Sequence, residues 1–340
     1  MTLSSDAQLV FLRQLQRLFN EGEFVATYKF ALLHAIADLC VERADDPSGE
    51  LHLPLPDLGE KFIALYWQHA APYRHGQVIR QNRGEQAALL NALQSARARY
   101  TTLARFRAST DWPRNVRSAA ALLKKMPLWK LQTLSGQTEE FLYANRPVAD
   151  GILLKPGVAH CLRMFYPLVL QLVRGQWVSH IRSIPANSLL VGPHGDLEEF
   201  LFGSHRRSLE PAQPALMEIQ QGRCLYCGRD VHGDWHVDHF IPWSRYPRDL
   251  AHNLVIAHDR CNLAKRDTLA AREHVERWLA RNEAQGALIA DALGDAFVCD
   301  SDTSRRVARW SYELEAQADA RLWLRARQYV PFDAAILTLL

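Results

Sequence analysis

Residues 224–265 read CLYCGRDVHGDWHVDHFIPWSRYPRDLAHNLVIAHDRCNLAK, with two sets of donors interleaved. The first set is Cys224 and Cys227, followed about thirty residues later by His258 and Cys261, each pair separated by two residues. A Cys-x-x-Cys turn offers two thiolates from one knuckle. A second pair at the same spacing completes a tetrahedral Cys₃His shell of the kind that zinc prefers. The segment between the pairs is polar and rich in turn residues, so little apolar burial is available to order it. Bound metal supplies that folding energy. The second set, Asp238, His239, Asn253 and Asn262, carries hard oxygens and an imidazole.

Val237 to Ile241 is strand-like and ends at Pro242; Leu254 to Ile256 is a short buried strand. Apolar spacing at Leu263, Leu269, Val275 and Leu279 predicts one helix from Asn262 through Trp278. The order is strand, loop, strand, helix, with His239 on the first strand, Asn253 at the start of the second and Asn262 on the helix. Clip, Asp-His, Asn-Leu-Val and Cys-Asn-x-x-Lys in this order resemble the HNH endonuclease family, in the zinc-stabilised form of its ββα-metal fold.

That resemblance implies phosphodiester hydrolysis. Such a reaction needs an activated water, a sink for negative charge and help for the leaving oxygen. Histidine is suited to take a proton near neutral pH, so His239 is the expected general base. Asp238 and Asn262 offer oxygens that suit Mg²⁺ or Mn²⁺ beside a phosphate. Asn253, by resemblance, braces the loop and orients the base. Lys265, one turn after Asn262, is expected to add positive charge to the phosphate. The structural ion is Zn²⁺ at Cys224, Cys227, His258 and Cys261. Two positions depart from the family pattern: His258 stands where many relatives have Cys, and Asn262 stands where the family name implies His. His236 is a spare ligand or a surface residue.

The chain has 340 residues, 48% of them hydrophobic, a mean hydropathy of −0.21 and a net charge of +3. It is long enough for two or three domains. The fold expected is mainly α with a small ββα-metal domain. Residues 1–190 form a predominantly helical N-terminal domain, 196–285 the nuclease domain, and 300–340 a C-terminal helix packing on the rest. The opening residues lack the basic region of a secretory signal, and the apolar run Phe165–Val173 is too short to cross a bilayer. Cys40, Cys161 and Cys299 sit alone in apolar surroundings and read as reduced core thiols. A cytoplasmic location fits this pattern.

Along the chain, helices are expected over Ala7–Phe19 and Ala26–Arg43, a turn at 45–49, a strand over Leu51–Leu55 and a helix over Asp57–Gln68. This order is compatible with a winged-helix-like arrangement. Gly151–Leu154 reads as a strand, followed by a long helix from Gly157 kinked at Pro167. A linker follows at 192–195, then a helix over Pro214–Gln221. Asp302–Tyr329 reads as a last amphipathic helix whose bases Arg305, Arg306, Arg309, Arg321, Arg325 and Arg327 mix with Trp310 and Trp323; it is a second candidate for phosphate contacts, but closing the domain is the preferred role. Residues 1–60 hold ten acids and four bases, whereas 74–130 hold twelve bases against Glu85 and Asp111. Arg97, Arg99, Arg105, Arg107, Arg114, Lys124 and Lys125 in this block are candidates for contacts with nucleic-acid phosphates. The alternative is a solvated face paired with the acidic N-terminal region. The stretch Arg223–Ala280 has nine bases and eight acids, so net charge there cannot supply the attraction.

DNA is the expected partner, with RNA left open, and one active site cuts one strand at a time. Two other functions compete: a zinc-stabilised nucleic-acid-binding protein without catalysis, and an RNA-cutting toxin. The size and the helical front half resemble nuclease effectors of bacterial restriction or anti-phage defence systems, which would bring protein partners.

Overall fold

The computed structural model describes residues 3–43, 49–84, 88–145, 150–192, 196–203 and 209–340. Most of the turn expected at 45–49 and of the linker at 192–195 lies outside them. The chain divides into two compact units, Met1–His205 and Arg206–Leu340. Among the described residues, no helix is long and apolar enough to cross a membrane.

The first unit contains α1 (Ser5–Glu21), α2 (Tyr28–Glu42), β1 (Leu51–Pro54), α3 (Leu55–His69), α4 (Ala88–Arg99), α5 (Leu103–Arg107), α6 (Trp112–Lys125) and α7 (Pro127–Lys130). It continues with β2 (Thr133–Leu134), β3 (Gln137–Thr138), β4 (Gly151–Leu154), α8 (Val158–Met164), α9 (Tyr166–Arg182), α10 (Ser188–Val191) and α11 (Leu197–Phe202). Helix α2 is apolar nearly all round and buried along its whole length, which makes it the axis of the unit. Helices α3, α8 and α9 pack against it. Helix α3 also lies close against α6, and Gly59 permits this: a Cβ there would stand 2.9 Å from the Val116 carbonyl oxygen. Strand β1 pairs antiparallel with β4, Leu51 opposite Leu154, rather than with a hairpin next to it in sequence. The long helix expected after Gly157 is two helices that part at Phe165. Pro167 sits in the first turn of the second, where its missing N–H costs nothing.

The second unit contains α12 (Gln213–Ile219), β5 (Trp235–His239), β6 (Leu254–His258), α13 (Asp259–Lys265), α14 (Arg272–Leu293), α15 (Ser301–Gln317), β7 (Arg321–Arg325), β8 (Gln328–Pro331) and α16 (Ile336–Leu339). Strands β5 and β6 pair antiparallel, Asp238 opposite Val255 and His239 opposite Leu254, and α13 packs on β5. This is the ββα arrangement. Its core joins Leu216, Val237, Leu254 and Ile256 to Ile289, Leu293 and Phe297.

Two expected helices are corrected. The helix over Asn262–Trp278 breaks after Lys265, because Arg266 adopts a positive φ of 51° and Ala270 bridges to Trp323. Apolar periodicity misled here, since Leu263 is exposed and Lys265 fully buried. The helix over Asp302–Tyr329 ends at Gln317. Arg321, Arg325 and Arg327 lie on a β-hairpin instead, where Leu322, Trp323, Tyr329 and Val330 supply strand-forming side chains. Residues 300–340 belong to the second unit.

Cys40 and Cys161 are buried and Cys299 half-buried, all as free thiols. Burial pushes the Cys40 thiol up to about 12 and the other two up to about 11. His69 is completely buried against the rings of Tyr66, Trp177 and Phe202, and burial lowers its pKa to about 3. The unfolded chain, with an ordinary histidine near 6.5, therefore takes up a proton that the folded chain refuses. Stability from this site is complete above pH 6.5 and is lost as pH falls towards 3. Urea unfolding of the full chain should lose about 2 kcal/mol from this site between pH 7 and pH 5. In His69→Phe that part of the slope should vanish; an unchanged slope would contradict the assignment.

Candidate active site

The clip forms where α12 hands over to a tight knuckle. Gly222 turns the chain with φ 66°, and Gly228, at φ 69°, closes the loop by donating its N–H to the Cys224 carbonyl at 2.9 Å. The ligand atoms of Cys224, Cys227, His258 and Cys261 all lie within 4.8 Å of one another. Nδ1 of His258 is 3.3 Å from the Cys227 sulfur, while Nε2 is 3.1 Å from the Asp230 carbonyl oxygen. A carbonyl only accepts, so Nε2 carries the hydrogen and Nδ1 presents its lone pair to the sulfurs. His258 thus faces the clip and not the Asp238–His239 pair. The Cys224 sulfur accepts from the S–H of Cys261 and from backbone N–H groups of Cys227, His258 and Tyr226. These lower the pKa of the Cys224 thiol, and the same crowding of sulfurs pushes the Cys261 thiol up. Three sulfurs and a neutral imidazole nitrogen at this spacing fit a structural zinc.

Asp238 and His239 close strand β5. His239 Nε2 lies 2.9 Å from Oδ1 of Asp249, and both side chains are largely buried. A carboxylate only accepts, so Nε2–H donates to it and Nδ1 is the basic nitrogen. The ring of Trp243 packs against the imidazole at 5.3 Å. Asp238 is held on one oxygen: Oδ2 accepts from the Tyr226 hydroxyl at 2.5 Å and from Lys265 Nζ at 3.1 Å. Burial and the neighbouring Asp238 charge keep the Tyr226 hydroxyl protonated, far above its usual range.

Lys265 differs from the expectation. It is fully buried, its ammonium engaged by Asp238 and by the His239 carbonyl oxygen at 3.0 Å, so it does not reach out to a phosphate. Its charge acts on the site through Asp238. Asn262, three residues earlier, shares the face of α13 that looks at β5. Its side chain is half-buried and, like Oδ1 of Asp238, has no protein partner among the described residues. Both are hard oxygen donors of the type that Mg²⁺ uses. Asn253 spans the turn after β5: Oδ1 accepts from Ile241 N–H at 2.8 Å and Nδ2 donates to the Ile241 carbonyl at 3.0 Å. His236 is exposed and pairs with Asp259 at 3.2 Å.

Helix α14 clamps this assembly from behind. Arg281, wholly buried and lowered by burial to about 9, donates to the carbonyls of Leu254 and His252 at 2.6 and 2.7 Å. Trp278 donates to the same His252 oxygen and stacks on Phe240 at 4.8 Å. Arg277 donates to the Tyr226 carbonyl. Tyr226, Asp249, Arg277 and Arg281 were not found in the sequence. An acid in the loop between the two strands was the one available signal for Asp249; nothing in the spacing marks the others.

The basic block of the first unit is partly engaged. Arg97 donates to the Trp67 carbonyl and lies over its ring, Arg99 pairs with Asp111, and Arg107 pairs with Glu60. Arg105 is exposed on α5. Arg114, Lys124 and Lys125 lie exposed on α6, without an acidic partner among the described residues.

Compared with models of known families, residues 11–199, more than half of the chain, match the family described as a domain of unknown function, DUF8808. The chain belongs to that family. Residues 224–268 match the HNH endonuclease family. The HNH match takes in the whole clip, Asp238, His239, Asn253, Asn262 and Lys265; the DUF8808 match takes in most of the helical first unit. No curated protein and no solved structure matches the chain. The HNH endonuclease domain makes nucleic acid the class of molecule on which the second unit acts.

Elemental analysis should find one zinc per chain, lost in Cys261→Ser. Because zinc in comparably small clips supplies on the order of 10 kcal/mol, the unfolding transition of the second unit should disappear with it. A Cys261→Ser protein with an unchanged urea profile would show that the clip does not hold the unit together. Asn253→Ala should cost about 2 kcal/mol in the same measurement, since it leaves the Ile241 N–H and carbonyl unpaired in the interior.

Proposed function

We propose that the protein is a metal-dependent HNH endonuclease that hydrolyses phosphodiester bonds of DNA, one strand per event. The observation that carries this is the His239–Asp249 pair, 2.9 Å apart beside Asp238 on a clipped ββα unit. Asp249 holds His239 in the tautomer whose Nδ1 can take a proton from water. The water oxygen then bonds to phosphorus, the bond from phosphorus to the 3′ oxygen breaks, and the leaving oxygen is protonated from solvent. A Mg²⁺ or Mn²⁺ ion held by Asp238 and Asn262 would stabilise the charge that develops on the phosphate and the leaving oxygen. Lys265 and Tyr226 fix one oxygen of Asp238 and direct the other towards the ion. Asn253 keeps the loop after His239 in register, so the imidazole does not drift from its working position. In the first unit, the α6 face with Arg114, Lys124 and Lys125 is the part of the basic block assigned to phosphate contacts. The biological setting we assign, an effector of restriction or anti-phage defence acting with protein partners, rests on resemblance of the overall layout.

Zinc-loaded protein should nick supercoiled plasmid in Mg²⁺. His239→Ala should lower the rate by at least about 100-fold, the size of a lost general base. Asp249→Asn should lower kcat by about 10-fold or more, because an amide can donate to Nε2 and turn the imidazole to the wrong tautomer. Equal cleavage by His239→Ala would overturn the role given to His239. Binding without cleavage by the wild type would favour a non-catalytic nucleic-acid-binding protein, and preference for RNA in the same assay would replace the substrate.

A further inference from the structure

The β7–β8 hairpin is a second charged feature of the catalytic unit, and the site described above makes no use of it. Its sequence, Arg321 to Pro331, reads RLWLRARQYVP and contains no acid. The base is fixed. Trp323 is buried, donates its backbone N–H to the Leu269 carbonyl at 2.8 Å and accepts from Ala271 N–H at 2.7 Å, so β7 is zipped to the segment that directly follows α13. The indole also packs against Tyr226 at 5.3 Å and His274 at 5.2 Å. Tyr226 in turn donates to Asp238. One buried side chain therefore separates the root of the hairpin from the candidate catalytic carboxylate.

The far end is open. Arg321, Arg325, Arg327 and Gln328 are exposed, and Tyr329 is 39% exposed. Arg327 makes the tight turn at φ 61°. None of the three arginines forms an ion pair among the described residues; Arg321 donates to the Tyr329 carbonyl and Arg325 to Gln328 across the hairpin. The acids that flank the root, Glu273, Glu276 and Asp333, are paired with Arg277 and Arg272 instead. Arg321 and Arg325 brace the hairpin, yet all three guanidinium groups on this short ribbon lack an ion pair among the described residues and keep their positive charge at the surface. Such a ribbon suits a polyanion.

We propose that the β7–β8 hairpin is a DNA-binding arm that grips duplex DNA beside the scissile phosphate, with Arg321, Arg325 and Arg327 on backbone phosphates. The major groove of B-form DNA, about 12 Å wide, admits a two-stranded ribbon, whereas the deep, narrow major groove of A-form RNA does not. This rests on the nuclease function proposed above only for the position of the cut; the binding itself is independent of it.

The test measures binding of a short DNA duplex by fluorescence anisotropy between 50 and 200 mM salt, with divalent ions omitted so that nothing is cut. Each phosphate contact contributes roughly 0.9 to the slope of log affinity against log salt. In the triple variant R321Q/R325Q/R327Q, the slope should shrink by about 2 to 3 and affinity at low salt should fall about 10-fold or more. The charge-preserving R321K/R325K/R327K should keep the slope of the wild type. Zinc content and circular dichroism establish that both variants are folded. A glutamine variant with wild-type slope and affinity overturns the arm, as does equal or tighter binding of an RNA duplex, or a lysine variant as weak as the glutamine one. A wild type that binds in this manner but never nicks plasmid leaves the arm standing and defeats the endonuclease proposal.

Discussion

Three thiols and an imidazole within 4.8 Å of one another are the constraint on which the second unit depends. Such a cluster is stable as a set of metal ligands, because a divalent cation offsets the repulsion that packed thiolates otherwise suffer. The clip ties the knuckle after α12 to the start of α13 and so closes the loop that carries β5 and β6, which, unlike the polar segment expected from the sequence, buries Val237, Phe240, Ile241, Leu254 and Ile256. It also sets the chemistry. Tyr226 lies between Cys224 and Cys227, and its hydroxyl holds Asp238. The metal clip and the strand that carries Asp238 and His239 are therefore joined by one side chain.

The interior of the site is polar, and its buried cations are held by oxygen acceptors. The buried Lys265 ammonium is held by Asp238 and a backbone carbonyl, and buried charge in proteins survives only with such partners. Arg281 does the same for the carbonyls around Asn253. These groups are internal struts. Their positive charge is engaged in holding the loop and strand ends, whereas Arg114, Lys124 and Lys125 on α6 and Arg321, Arg325 and Arg327 on the hairpin are exposed.

Much of the candidate site was legible in the sequence because its ligands come in short fixed spacings. Cys-x-x-Cys, Asp-His and Cys-Asn-x-x-Lys each sit on one local element, so neighbours in the chain are neighbours in space. Both strands near Asp238 and Leu254 were expected from their strand-forming residues, but β5 ends at His239, before the boundary that Pro242 suggested. Asp249 and Tyr226 were missed because their partners lie ten or more residues away, across turns whose geometry no local pattern records. The helices were harder at their ends. Arg266 and Asp319 stop helices with positive φ and without a glycine to announce it. Leu263 and Lys265 invert the usual rule of burial, because a salt bridge awaited the lysine and solvent the leucine.

The sequence by itself determined the donor types: which atoms suit a soft metal, which offer hard oxygens, and which residue offers an imidazole. Donor type is a property of the residue, and short spacing carries it into space. Only the tertiary structure decided which charges do what. It turned Lys265 inward, engaged Arg97, Arg99 and Arg107, paired His239 with Asp249, and made the last arginines an exposed hairpin instead of a helix. The reason is that charge acts through distance and burial, and both are set by contacts between segments far apart in the chain.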